Sequence, residues 1–155
     1  MTTFFKILLA VALFFCFLSP AYVLAGEATY INGKSVKIPD LPIYDSKNPG
    51  PLAEQLAFHR PTLKLKRRKE GLEDTWRLTI TIPHPIVEDP KKMVTAVYVT
   101  DKDNIIVGYL GFSAGDTLSG EIRLNGILNY IQIYVYCLEH GLWKSEYRLS
   151  RSNPS

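Results

Sequence analysis

Cysteine is almost missing from this chain. Only Cys16 and Cys137 occur in 155 residues. Cys16 falls in an apolar leader, so the remainder of the chain carries a single thiol and cannot form an internal disulfide. A large excess of one charge sign is missing too. The formal net charge is +3, or +2 without Lys6. That excess is too small to mark a nucleic-acid binder. Histidine is limited to His59, His84 and His140, and Met93 is the only methionine after Met1. No segment keeps helical periodicity over three turns, which argues against a helical bundle, and there is no internal repeat.

The leader is the one long apolar run. Lys6 precedes Ile7 to Leu18, then Ser19-Pro20, and Val23-Leu24-Ala25 stands before Gly26. This is the pattern of a cleaved signal peptide over 1–25. Ile7 to Ala25 could also just span a bilayer as an anchor. Pro20 and the small-residue end favour cleavage. The residue directly after the cleavage point is Gly26 rather than cysteine, which argues against a lipoprotein. The sequence therefore predicts a periplasmic or otherwise exported protein, with no stable membrane insertion after cleavage. About 130 residues remain, enough for one domain with a sizeable core.

Residues 26–53 read as a Pro-rich extended arm, because Pro39, Pro42, Pro49 and Pro51 exclude a long helix. Residues 54–149 carry period-two patterning. Trp76, Leu78, Ile80 and Ile82 alternate with Arg77, Thr79 and Thr81. Val94 to Thr100 and Ile105 to Leu110 flank a polar turn and predict a hairpin. Leu118 to Leu124 alternates again. Ile131, Ile133 and Val135 share one face, with aromatics on the other. Trp143 to Leu149 alternates apolar with charged residues. About seven short strands at this spacing predict an all-β, immunoglobulin-like β-sandwich. Residues 150–155 read as a frayed end. The basic run Lys64 to Lys69 is followed by Glu70, Glu73 and Asp74, and reads as a solvated strand end and turn. Near a binding site it could also attract small anions.

The scarce ligands are grouped. Cys137 and His140 stand three residues apart at the end of an apolar strand. His59 precedes Arg60-Pro61, and His84 lies between Pro83 and Pro85. Prolines favour rigid loops over sheet interior, so His59 and His84 are expected in loops, and the Cys137 and His140 side chains could lie on one loop. A free cysteine is commonly a buried core residue, and a lone histidine is commonly an ordinary one. Taken together, a thiol and three imidazoles suit iron, copper, zinc or nickel. A blue-copper site is disfavoured, because no methionine comes after His140.

Tyr136-Cys137-Leu138-Glu139-His140-Gly141-Leu142-Trp143-Lys144 resembles the C-terminal motif of the superoxide reductases, the desulfoferrodoxin and neelaredoxin family. His59-Arg60-Pro61 is similar to that family's first ligand loop, and Pro83-His84-Pro85 to its His-Pro loop. The order matches over roughly Glu54 to Tyr147. The resemblance implies a mononuclear non-haem iron, with four equatorial histidines and an axial thiolate. It implies reduction of superoxide to hydrogen peroxide, fed by an unidentified electron donor, and leaves a homo-oligomer open. His59, His84, Cys137 and His140 carry over as metal ligands. Two departures stand out. The family's fourth histidine is missing near Pro90-Lys91-Lys92, where Glu88, Asp89, Lys92 or water could fill the place. The Glu-Lys before the first histidine is Ala57-Phe58, so Lys91 or Lys92 would have to supply the charge that attracts superoxide. The family's four-cysteine rubredoxin-like module is absent as well, so one metal centre is expected. Two other readings stay open. One is a copper or zinc binding or electron-transfer module without this activity. The other is a silent sandwich domain.

Overall fold

Alternation along Glu73–Thr81 buries Trp76, Leu78 and Ile80 and leaves the residues between them partly exposed. That is the behaviour of a strand with one face on a core. The computed structural model describes residues 29–31 and 34–149. The expected signal peptide 1–25, with Cys16, and the expected frayed end 150–155 lie outside the described residues. Ten strands are present among them: β1 (Thr29–Ile31), β2 (Lys34–Val36), β3 (Ile43–Tyr44), β4 (Thr62–Glu70), β5 (Glu73–Thr81), β6 (Val94–Thr100), β7 (Ile106–Gly111), β8 (Ser119–Asn125), β9 (Tyr130–Cys137) and β10 (Gly141–Arg148).

The strands form two main sheets of a β-sandwich. One has the order β3-β10-β9-β6-β7 and the other β4-β5-β8, while β1 and β2 make a separate hairpin. The fold is all-β, and strands β4 to β10 make up the expected seven. The core lies between the sheets, where Trp76, Leu78 and Ile80 meet Val97, Val99, Ile131, Ile133, Val135 and Trp143. Each fully buried aliphatic side chain contributes about 1.5–3 kcal/mol.

The arm packs on the sandwich. Strand β3 pairs in parallel with β10, placing Ile43 opposite Leu142 and Tyr44 opposite Trp143. Val36 and Ile38 join Ala96, Tyr98, Ile106, Tyr134 and Leu142 in a second apolar cluster on the outer face of the five-stranded sheet. Both faces of β9 are therefore buried, which explains why its aromatic positions are apolar rather than charged.

Two expectations are corrected. Lys64 to Lys69 is not a strand end and turn but most of β4, which pairs with β5 over nine positions. Leu63 and Leu65 pack against the core on its inner side, and Arg67 reaches over the Trp76 ring at 5.2 Å while pairing with Asp74. His59 is not in a loop. It is the last residue of a short α-helix, α1 (Leu56–His59), which continues a 3₁₀ segment Gly50–Gln55. Gly50 starts this segment at φ +59, where a β-carbon would come 2.5 Å from the Tyr44 ring, so only glycine fits.

Candidate metal centre

Local rules bring each donor to the same end of the sandwich. Pro61 disfavours helical backbone at the residue before it, and Arg60 is extended at φ −86, ψ 109. The helix therefore stops at His59, whose side chain is buried with 1% exposure. His59 Nδ1 lies 2.8 Å from the Gln55 carbonyl oxygen. That oxygen can only accept, so Nδ1 carries the proton and Nε2 holds the lone pair. His84 is set in the same way, with Nδ1 donating to the Pro85 carbonyl at 2.8 Å. Its Nε2 points at the Cys137 sulfur, 3.8 Å away. Such carbonyl partners are the usual means of fixing the tautomer of a ligating imidazole.

Cys137 and His140 are joined by a hairpin. Cys137 ends β9 and pairs with Gly141, leaving a loop of Leu138, Glu139 and His140. Gly141 closes it at φ +78, the left-handed position that a three-residue hairpin favours. The turn folds His140 back, so its Nδ1 lies 3.4 Å from Cys137 Sγ. The spacing Cys-x-x-His-Gly is thus the length of one tight turn.

The four donors converge. One ligand atom from each of His59, His84, Cys137 and His140 lies within 4.8 Å of the others. A single ion with bonds of about 2–2.3 Å could draw that set together. All four residues singled out in the sequence are brought to one place, and the cluster could hold a metal ion. His59 Nε2 is buried without any hydrogen-bond partner. Leaving such an atom unpaired costs about 1–3 kcal/mol, and a metal in the cluster would satisfy it.

Burial sets the charge state of the donors. It pushes the His59 pKa down to about 4 against an ordinary 6.5, with the neighbouring His84 and His140 adding to the fall and the Gln55 hydrogen bond opposing it. His59 is therefore a neutral lone-pair donor at neutral pH. Burial raises the Cys137 thiol, while the backbone N–H groups of His140 and Glu139 work the other way. Those amides would support a thiolate once a cation is present.

Trp143 braces the site. Its ring stacks on His59 at 4.9 Å with planes 12° apart. Its indole N–H donates to the His140 carbonyl at 3.0 Å. The Tyr44 ring packs against it at 5.3 Å. One tryptophan thereby holds two donors on separate elements. Trp143 was visible in the motif, but nothing in the sequence signalled this bracing.

The mouth is marked by His140, whose side chain is 16% exposed, and by Glu139, with Oε2 3.8 Å from His140 Nε2. Lys92 Nζ stands 3.9 Å from Glu139 Oε1, and the Lys92 carbonyl lies 3.7 Å from the Cys137 sulfur. Neither Glu88 nor Asp89 belongs to the cluster. Asp89 accepts from the Lys91 amide at 2.9 Å, and the Glu88 carboxylate lies beside Gly115. A surface cleft lined by Asp45, Lys47, Arg60, Lys144 and Tyr147 contains none of the four donors.

No protein-family model and no curated protein matches the chain. Solved structures do. Superoxide reductase (neelaredoxin) from Ignicoccus hospitalis is matched in two structures. One shares 14% identity over 70% of this chain and 93% of that one, with a TM-score of 0.54. The other shares 16% identity over 70% and 94%, with a TM-score of 0.52. Across these matches the chain has the all-β sandwich fold of the superoxide reductases.

Proposed function

We propose that this chain is an exported protein holding one iron with His59, His84, Cys137 and His140, and that it reduces superoxide to hydrogen peroxide. The observation that carries the reading is the convergence of three imidazoles, two of them oriented by carbonyls, and one buried thiol around the unpartnered Nε2 of His59. The donor set of soft sulfur and imidazole nitrogen suits iron among the first-row metals. Iron held there supplies a one-electron couple, and superoxide with one electron and two protons balances to hydrogen peroxide.

The chain's own residues prepare that chemistry. The carbonyls of Gln55 and Pro85 keep two imidazoles in the binding tautomer. The amides of Glu139 and His140 lower the cost of negative charge on sulfur. Trp143 covers the His59 face and keeps water from it. Lys92 takes the place of the cation that attracts an anionic substrate, in competition with Glu139. The electron donor is a separate redox partner. Export rests on the leader, and N-terminal sequencing of the mature protein is expected to begin at Gly26.

The test is metal content and colour. Protein isolated from its native compartment should hold iron in equal amount. Its oxidised form should show a thiolate-to-iron absorption band that Cys137→Ser removes. Protein without iron and without the band overturns the reading. A second reading rests on the ligand count. Four mutually close donors is the number that structural zinc takes. Stoichiometric zinc, with no superoxide-dependent turnover, would decide for that alternative.

A further inference from the structure

The three-stranded sheet turns an uncovered face to solvent, and that face is basic. Lys66 lies opposite Arg77, and Arg77 lies opposite Arg123, so three cations stand side by side across β4, β5 and β8. Lys64 and Arg68 flank Lys66 on the same side of β4, and both are exposed. Among the described residues, Glu121 is set among these cations and pairs with Arg77 at 3.3 Å, and Glu73 stands on the same side of β5 as Arg77. Among the described residues, neither Lys66 nor Arg123 has a carboxylate within ion-pair distance. Like charges directly opposed across strands destabilise a sheet. A row of three is a cost that stability alone does not explain.

A second observation lies at the end of the same sheet. Leu72, in the β4–β5 turn, is 106% exposed, and Ile127, in the β8–β9 turn, is 84% exposed. The two turns are neighbours, since Gly126 N donates to the Asp74 carbonyl at 2.8 Å. Two bare aliphatic tips beside a flat basic face form a pattern that a charged lipid surface would complement. Glu73 and Glu121 oppose the attraction locally. The cations of the face outnumber them.

We infer that this face docks on an anionic phospholipid bilayer, with Lys64, Lys66, Arg68, Arg77 and Arg123 over the headgroups and Leu72 and Ile127 entering the interface. The site at the far end of β4 and β5 stays open to solvent in that pose. The inference does not depend on which metal the centre holds.

The full-length protein, with the N-terminus it carries in its native compartment, is mixed with vesicles of phosphatidylcholine alone or with added phosphatidylglycerol. Co-sedimentation is expected to be at least about tenfold stronger with phosphatidylglycerol and to weaken with salt. Lys66→Glu with Arg123→Glu should abolish that difference. The variant should melt no lower than the parent, because it places carboxylates opposite Arg77. If it does melt lower, Lys66→Gln with Arg123→Gln serves instead, with a partial loss expected. Leu72→Ser with Ile127→Ser should weaken binding several-fold and keep its salt dependence. Equal binding to both vesicle types, or binding unchanged by charge reversal, overturns the inference. That result also covers the case in which the face serves an acidic protein. Unchanged binding of the serine variant overturns the insertion of the two tips.

Discussion

The two sheets of this sandwich share one core and differ in what their outer faces meet. The five-stranded sheet turns Ala96, Tyr98, Tyr134 and Leu142 outward, and Val36 and Ile38 of the arm lie over them. The three-stranded sheet turns Lys64, Lys66, Arg77 and Arg123 outward, and no described part of the chain covers them. The difference shows how a strand announces its surroundings. A strand apolar on both sides, such as β9, needs a cover on each. A strand apolar on one side, such as β5, needs only a partner sheet.

The largest effect should come from placing a charge on each outer face. Leu142 is fully buried under the arm, and Leu142→Lys is expected to cost more than about 4 kcal/mol. Thr79→Lys on the bare face should change stability by no more than about 0.5 kcal/mol. Denaturant midpoints of the two variants test the contrast, and equal losses would break it. Next is the cover itself. Val36→Ala should cost about 1–3 kcal/mol if the arm seals that face. A loss near zero in the same experiment would mean that the arm contributes nothing there.

A pH profile sharpens the comparison further. Burial first, then the neighbouring Tyr109 and Tyr136, push the Tyr98 hydroxyl up to about 12 from an ordinary 10. The unfolded chain loses this proton before the folded one does. The contribution is therefore fully present below pH 10 and is lost as pH rises toward 12. Alkaline titration of stability should show this fall, and Tyr98→Phe should flatten it. The smallest effect belongs to the bare face. Lys66→Glu, which puts a carboxylate opposite Arg77, should raise stability by about 0.2–1 kcal/mol. A thermal melt reads the sign.

Much of this was legible in the residues. Alternation of Trp76, Leu78 and Ile80 gave β5 and its buried face. Cys137 and His140 stood out at the end of an apolar strand, and the turn between them proves to be a three-residue hairpin closed by Gly141. Strand β4 was obscured because charge density hid its period. Leu63, Leu65 and Arg67 do alternate inward, with Arg67 covering Trp76 by its side chain. Helix α1 escaped because four residues are too few for helical periodicity to register. Its signals were punctuation instead: Gly50-Pro51 at the start of the helical stretch and Arg60-Pro61 at its end. The cover on β9 could not be assigned, because a short strand such as β2 carries no mark of where it docks.

By itself the sequence determined what is local: the strands with one apolar face, the tight turn that folds His140 back on Cys137, and the proline that stops a helix after His59. Only the tertiary structure decided that His59 and His84, on separate connections, meet that turn within 4.8 Å. It also decided that Trp143 braces two of the donors at once, and that one outer face is roofed while the other is bare. The physical reason is range. Backbone sterics and turn length act over a few residues, whereas the meeting of distant side chains depends on how two sheets close over a shared core.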